Sequence, residues 1–167
     1  MSEPVVTPEA LYRRHAAEVF RFALHLSANR AEAEDITAET FVHVWSSGRP
    51  VRAFTVRAYL FTIAYHLFRR GRGRSQRFAG LDPDVADAAP WPEEAAGQRS
   101  ELRAVLAAMQ MLEPIDRAVL LMHAVHGVPY DEIARAFGIS VGAAKVKTHR
   151  ARKTLRASRG EGYVLRP

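Results

Sequence analysis

These 167 residues predict an all-α chain: two small helical domains joined by a flexible linker, the C-terminal one carrying a helix-turn-helix. Three observations carry that expectation. Apolar residues recur at steps of three and four along most of the chain, and no segment alternates with period two, so no strand is expected. The periodicity lapses from Gly71 to Gly97, where Gly71, Gly73, Gly80, Pro83, Pro90, Pro92 and Gly97 break any long helix. Beyond that stretch, Pro129 to Leu155 holds two helical runs about a short turn at Gly138.

Taken in order, Thr7-Pro8-Glu9 is a helix start, with a capping hydroxyl, Pro at the first helical position and an acid at the positive end of the dipole. Leu11, His15, Val19, Phe22 and Leu26 give that helix one face to about Ser27, and Asn29 is expected to end it in a left-handed conformation. A second helix is expected from about Ala31 to Ser46, with Ile36, Thr40, Phe41, Val44 and Trp45 inward and Gly48-Arg49-Pro50 as its stop. A third runs from about Phe54 to Arg70 on the apolar row Leu60, Ile63, Ala64 and Leu67. Residues 1–70 then form the first domain, 71–98 an acidic, Pro- and Gly-rich linker, 99–158 the second domain and 159–167 a tail.

In the second domain Leu102, Val105, Leu106, Met109 and Leu112 mark one helix face. Ile115, Val119, Leu120, Met122 and Val125 mark the next, ended by Gly127. Ile133, Ala134 and Phe137 belong to the first arm of the helix-turn-helix. Gly138 makes the turn, Ile139 plugs it into the core, and Ser140 caps the following helix. In that helix Val141, Ala144, Thr148, Ala151 and Leu155 form a buried stripe, while Lys145, Lys147, His149, Arg150, Arg152, Lys153 and Arg156 fill most of the rest. No acid occurs between Glu132 and Glu161, and this single sign together with the turn chemistry points to a DNA-reading helix.

Charge elsewhere is segregated too. The net +6 resides entirely in the part from Pro129 onward, and the first 128 residues sum to zero. Within those, Arg49 to Arg77 carries eight Arg and no acid, while Glu32, Glu34, Asp35 and Glu39 sit together without a base. Two separated basic blocks suggest two contacts with a polyanion, whose binding would weaken steeply with salt. The absence of Cys excludes disulfides, thiolate zinc sites and Cys nucleophiles. No apolar run approaches a membrane span, and the N-terminus lacks the pattern of a secretory signal, so a cytoplasmic protein is expected. His123 and His126 share a helix face without a third ligand or an HExxH, and proximity to a helix C-terminus is their simplest explanation. No P-loop, nucleophile elbow or GxGxxG occurs, so no enzyme, metal or cofactor is expected.

Three blocks, in order, resemble one family. They are Ala33-Glu34-Asp35-Ile36 with Glu39-Thr40-Phe41 and Trp45; Tyr59-Leu60-Phe61-Thr62-Ile63-Ala64; and Tyr130-Asp131-Glu132-Ile133-Ala134 through Gly138-Ile139-Ser140-Val141-Gly142 to His149-Arg150-Ala151-Arg152. Together they resemble the extracytoplasmic-function sigma factors of bacterial RNA polymerase. The resemblance implies a non-enzymatic subunit whose partners are core RNA polymerase, promoter DNA and an anti-sigma factor, with no small-molecule substrate and no insertion into a membrane. It implies polymerase contacts from Glu34, Asp35, Glu39, Phe41 and Trp45. Recognition and melting of the −10 element fall to Arg52, Arg57, Tyr59, Tyr65, His66, Arg69 and Arg70. Reading of the −35 element falls to Ser140, Lys145, Lys147, His149, Arg150, Arg152 and Lys153. Arg suits the backbone of an opened strand and an exposed aromatic ring suits its unpaired bases; Tyr59 and Tyr65 are expected on the DNA side, Phe61 and Phe68 in the core. His66 stands where the family often has Asn, Pro129 where a capping Ser is common, and Ala144 and Thr148 where larger apolar residues are common. A stand-alone helix-turn-helix regulator is the alternative, and it leaves the first domain's acidic and aromatic blocks without a role.

Overall fold

The computed structural model describes residues 6–49, 56–77 and 96–159, and these form seven α-helices with no strand among them. Helix α1 (Pro8–Ser27) starts as expected, with the Thr7 hydroxyl accepting from the Ala10 N–H at 3.2 Å. At its end the structure departs from the sequence expectation. Ala28, not Asn29, takes the left-handed conformation (φ 55°), and Asn29 is instead the extended N-cap of α2 (Arg30–Ser47), its side-chain oxygen accepting from Glu32 N–H at 2.9 Å. The Ser27 hydroxyl holds this corner, donating to the Ala23 carbonyl at 2.8 Å and accepting from Asn29 N–H at 3.2 Å. An Asn at that corner satisfies an orphan donor of the next helix, which a left-handed Asn would leave open. Gly48 ends α2 at φ 59°.

Helices α1, α2 and α3 (Val56–Arg77) enclose the first core, in which Phe22, Phe41, Phe61 and Phe68 are all buried. Phe22 and Phe61 meet at 4.7 Å between ring centroids. Trp45, expected inward, is 47% exposed. Tyr12 covers Phe41 edge-on at 5.0 Å but gives Trp45 only a tilted contact at 6.5 Å, so the last turn of α2 leaves its indole at the surface. Helix α3 passes through Gly71 and Gly73 to Arg77, beyond the expected end at Arg70. Each helical Gly costs about 1 kcal/mol relative to Ala. Against that, Arg72 lies over the Phe68 ring at 4.9 Å and donates to the Gln110 side chain at 2.7 Å, tying this turn to the second domain. Residues 78–95, most of the expected linker, lie outside the described residues, as does the tail beyond Arg159.

The second domain consists of α4 (Ala96–Gln110), α5 (Pro114–Leu120), α6 (Tyr130–Phe137) and α7 (Val141–Arg159). The helix α5 runs straight into a π-helical turn, Leu121–Val125, where the sequence suggested one continuous α-helix. The wider turn shifts the phase of everything after it. Val125, expected on the apolar face, is therefore 56% exposed, and His126 is turned inward and buried. Gly127 then reverses the chain at φ 68°, and Gly138 makes the turn between α6 and α7 at φ 65°, a conformation that favours Gly at both places. Pro129 caps α6 without any side-chain bond. The stripe Ala144, Thr148, Ala151 and Leu155 is buried as expected. Val141 is not: as the first residue of α7 its side chain points back past the helix end.

The two domains pack together. The fully buried Arg117 of α5 donates to the carbonyls of Met109 (2.7 Å) and Leu112 (3.0 Å) in its own domain, and to Leu26 at the end of α1 (2.5 Å). Gln110 adds a second donor to the Leu26 carbonyl at 3.2 Å. Arg57 of α3 binds the Glu18 carboxylate at 3.1 Å and the His126 carbonyl. The His126 ring rests on Phe61 at 4.7 Å and Phe22 at 6.0 Å, inside the first domain's aromatic core. A helix C-terminus would favour a charged imidazole. Burial outweighs it, and with the nearby charges of His25, Arg57 and Arg21 opposing that of Glu18, His126 is held neutral with its pKa pushed down to about 4.

Two outcomes follow from these contacts. Replacing Arg117 by Met strands several buried carbonyls and should destabilise the chain by about 3 kcal/mol or more in urea unfolding, with Lys no substitute because it lacks the planar fork. For His126 the folded-state pKa lies below the ordinary 6.5, so the unfolded chain takes the proton first. Its contribution is complete above pH 6.5 and is lost as the pH falls towards 4. Between pH 7 and 4.5 the parent chain should therefore lose about 2 kcal/mol more than a His126→Phe variant; equal losses would show that this imidazole does not control acid stability.

Candidate functional site

Three surfaces gather the residues singled out in the sequence. The first lies on α7. The Ser140 hydroxyl accepts from Ala143 N–H at 3.0 Å and fixes the start of the helix. With Ala144, Thr148, Ala151 and Leu155 turned into the domain, Lys145, His149, Arg150 and Lys153 are exposed, while Arg152 is half-buried. Lys145 reaches over the Tyr130 ring at 6.0 Å, and Tyr130 itself stacks on His123 at 3.7 Å. Lys147 differs from the other cations. Its side chain is only 21% exposed, and its ammonium lies 3.6 Å from a carboxylate oxygen of Asp116 in α5. Arg150 approaches the other oxygen of that carboxylate at 3.8 Å while staying largely exposed.

The second surface is α3, which divides the residues assigned to it. His66, Arg69 and Arg70 are exposed along one face, the two arginines giving it positive charge. Tyr59 is half-buried. Arg57 is engaged by Glu18 and by the His126 carbonyl, and Glu18 responds: burial pulls its pKa up, but the His15 hydrogen bond and the Arg57 charge together hold it below the usual carboxylate value. Tyr65, expected on an accessible face, is buried here, its ring edge-on to Phe137 of α6 at 5.3 Å. Burial raises its hydroxyl pKa against the opposing charges of Arg69 and Arg117. Phe61 and Phe68 are core residues, as expected. Arg52 lies outside the described residues.

The third is a groove of about 650 Å³ between α1 and α2, lined by Tyr12, Phe20, Glu34, Phe41, Val42 and Trp45 among others. Glu34, Phe41 and Trp45 meet there. Asp35 and Glu39 are exposed on α2 but do not line it. Phe41 is buried and can offer only the groove's floor, whereas Tyr12 and Trp45 are about half exposed and form its rim. Glu32, at the start of the acidic block, is half-buried, and its pKa is raised by that burial, with Arg72 opposing and Asp35 reinforcing.

Sequence reasoning missed Tyr12, Asp116 and Arg117. For the last two a signal existed: an adjacent acid and base inside the otherwise apolar run from Ile115 to Met122 must be buried with partners or break the helix's face. No helix among the described residues is long and apolar enough to cross a membrane.

Comparison with known proteins agrees with this layout. Residues 11–78 match the sigma-70 region 2 family and residues 102–155 the sigma-70 region 4 family, one on each domain. The chain is 35% identical over 154 residues to the ECF RNA polymerase sigma factor SigE of Mycolicibacterium smegmatis, a match that covers 89% of this chain and 60% of that longer protein. It is 32% identical over 163 residues to the ECF RNA polymerase sigma factor SigL of Mycobacterium tuberculosis, covering 94% of this chain and 91% of SigL. Its fold is that of the sigma factor RpoE crystallised with the anti-sigma factor NepR from Bartonella quintana, with a TM-score of 0.71 at 24% identity over 89% of this chain and 94% of that one. With a region 2 domain, a region 4 helix-turn-helix and a relative of 32% identity matched over nearly its full length, the chain belongs to the extracytoplasmic-function family of RNA polymerase sigma factors.

Proposed function

We propose that the chain is a promoter-specificity subunit that binds core RNA polymerase and directs transcription initiation from promoters with −10 and −35 elements. The observation that carries this reading is the face of α7. A buried stripe of small residues behind a glycine turn leaves Lys145, His149, Arg150 and Lys153 exposed on one helix, at a place where a major groove could receive it. The strip His66, Arg69 and Arg70 on α3 supplies the second contact, suited to the −10 element; Arg57, Tyr59 and Tyr65 lie on the same helix, and Arg52 precedes it in sequence. The groove between α1 and α2, with Trp45 and Tyr12 at its rim and Glu34, Asp35 and Glu39 on or beside it, suits a basic and apolar surface of the polymerase. The two matched segments support domains near 1–70 and 99–158 with a connecting linker. The family is not an enzyme family, and the chemistry of initiation belongs to the polymerase. Work with polymerase on promoters places the protein in the cytoplasm, and the likeness to a sigma factor held by NepR supports an anti-sigma factor as a further partner.

The test is transcription in vitro with the purified chain and core polymerase, followed by mapping of the start sites. Defined starts are expected, and no association with core enzyme would refute the reading. Lys145→Ala should lower initiation from an intact −35 promoter by about tenfold and leave a promoter with a scrambled −35 nearly unchanged, the signature of a lost base contact. Trp45→Ala should weaken retention of core polymerase in a pull-down by about tenfold without altering the thermal melt, as for an exposed aromatic anchor.

A further inference from the structure

Among the described residues, Asp116 is the one acid in the buried class. It lies on the first turn of α5, only 3% exposed, with its carboxylate turned towards α7. The helix dipole favours an acid at that position, but a carboxylate removed from water also needs a cation. Its Oδ1 accepts no hydrogen bond among the described residues and faces the Lys147 ammonium at 3.6 Å; Oδ2 faces Arg150 at 3.8 Å. Both cations come from the helix read here as the −35 reader, three residues apart and so on neighbouring turns of one face.

A lysine on such a helix ordinarily adds sequence-independent affinity by displacing counterions from phosphates, and it adds the same amount on every DNA sequence. Specificity is the ratio of correct to incorrect binding, so each free cation that touches only phosphate raises both terms by the same factor: it tightens binding everywhere and steepens its salt dependence without changing the ratio. Lys147 is largely withdrawn from solvent, whereas Lys145 and His149 beside it are exposed. We infer that Asp116 is a positioning residue that sets the salt dependence of the −35 helix: it neutralises Lys147, draws in Arg150, and so withholds backbone charge from DNA while Lys145 and His149 remain free to meet base edges. The inference rests on the reading of α7 as the −35 helix.

The experiment uses holoenzyme assembled from core polymerase and the full chain, bound across a salt series to promoter duplexes with an intact or a scrambled −35 element. Asp116→Asn keeps the shape and removes the charge. It should steepen the slope of log K against log salt by about 1 on both duplexes, the effect of one released cation, and tighten both alike, leaving their ratio within about twofold. Adding Lys147→Gln to that variant should return the slope by about 1. An unchanged slope, a slope that steepens on one duplex only, or no return in the double variant overturns the inference. A second measurement needs no substitution. On the parent holoenzyme, amine acetylation read by mass spectrometry should find Lys145 reactive and then protected by promoter DNA, and Lys147 slow in both states. A Lys147 as reactive as Lys145 and equally protected by DNA overturns the inference even if Asp116→Asn fails to fold. Failure to assemble with core, or a parent holoenzyme indifferent to the −35 scramble, refutes the underlying reading instead.

Discussion

The guanidinium of Arg117 is the contact on which the arrangement of the helices depends. A helix leaves its last carbonyls without partners, and α1 and α4 both end near this residue. Arg117 gathers the carbonyls of Leu26, Met109 and Leu112 onto one fork and lies 5.8 Å from the centre of the Phe68 ring of α3. One side chain therefore closes two helix ends and places a third helix. Burial pushes its pKa down to about 10, which still leaves it charged at neutral pH. Its neighbour Asp116 faces the other way, towards α7. The same turn of α5 thus anchors the first domain on one side and the recognition helix on the other.

Much of this was legible in the residues. The capping hydroxyls of Thr7 and Ser140, the glycine turns at Gly48, Gly127 and Gly138, and the buried stripe on α7 from Ala144 to Leu155 all express local chemistry and are found where the spacing put them, Val141 at the head of that stripe excepted. The departures have tertiary causes. Ala28 accepts a left-handed conformation because Asn29 does more as a cap. The π-helical turn adds a residue that no apolar period announces, and it exchanges the fates of Val125 and His126. Helix α3 outruns its glycines because Arg72 finds Gln110 in a distant part of the chain. At the candidate site, exposed cations were readable from charge pattern alone. The pairing of Lys147 with Asp116, across 31 positions of sequence, was not.

The charge blocks acquire a sharper meaning from the fold. The basic run on α7 is not uniform, since one of its lysines is already answered from within the domain. The acidic run on α2 is not uniform either: Glu32 is drawn inward near Arg72, while Glu34, Asp35 and Glu39 face solvent. Counting formal charges overstates what either surface presents to a partner. Aromatic residues show the same division, with Phe41 buried and Tyr12 and Trp45 at the rim of one groove.

The edge-on packing of Phe137 against Tyr65 sets an internal competition. Any planar ligand that takes the Tyr65 face must first displace a side chain of α6, and the affinity observed for it is the intrinsic value multiplied by the fraction of molecules in which that face is open. A partner that holds the domains apart raises that fraction, and one that clamps them together lowers it. The helix-turn-helix therefore covers a ring more than seventy residues earlier in the chain, and access to that ring becomes a property that substitutions in α6, far from any ligand, can tune.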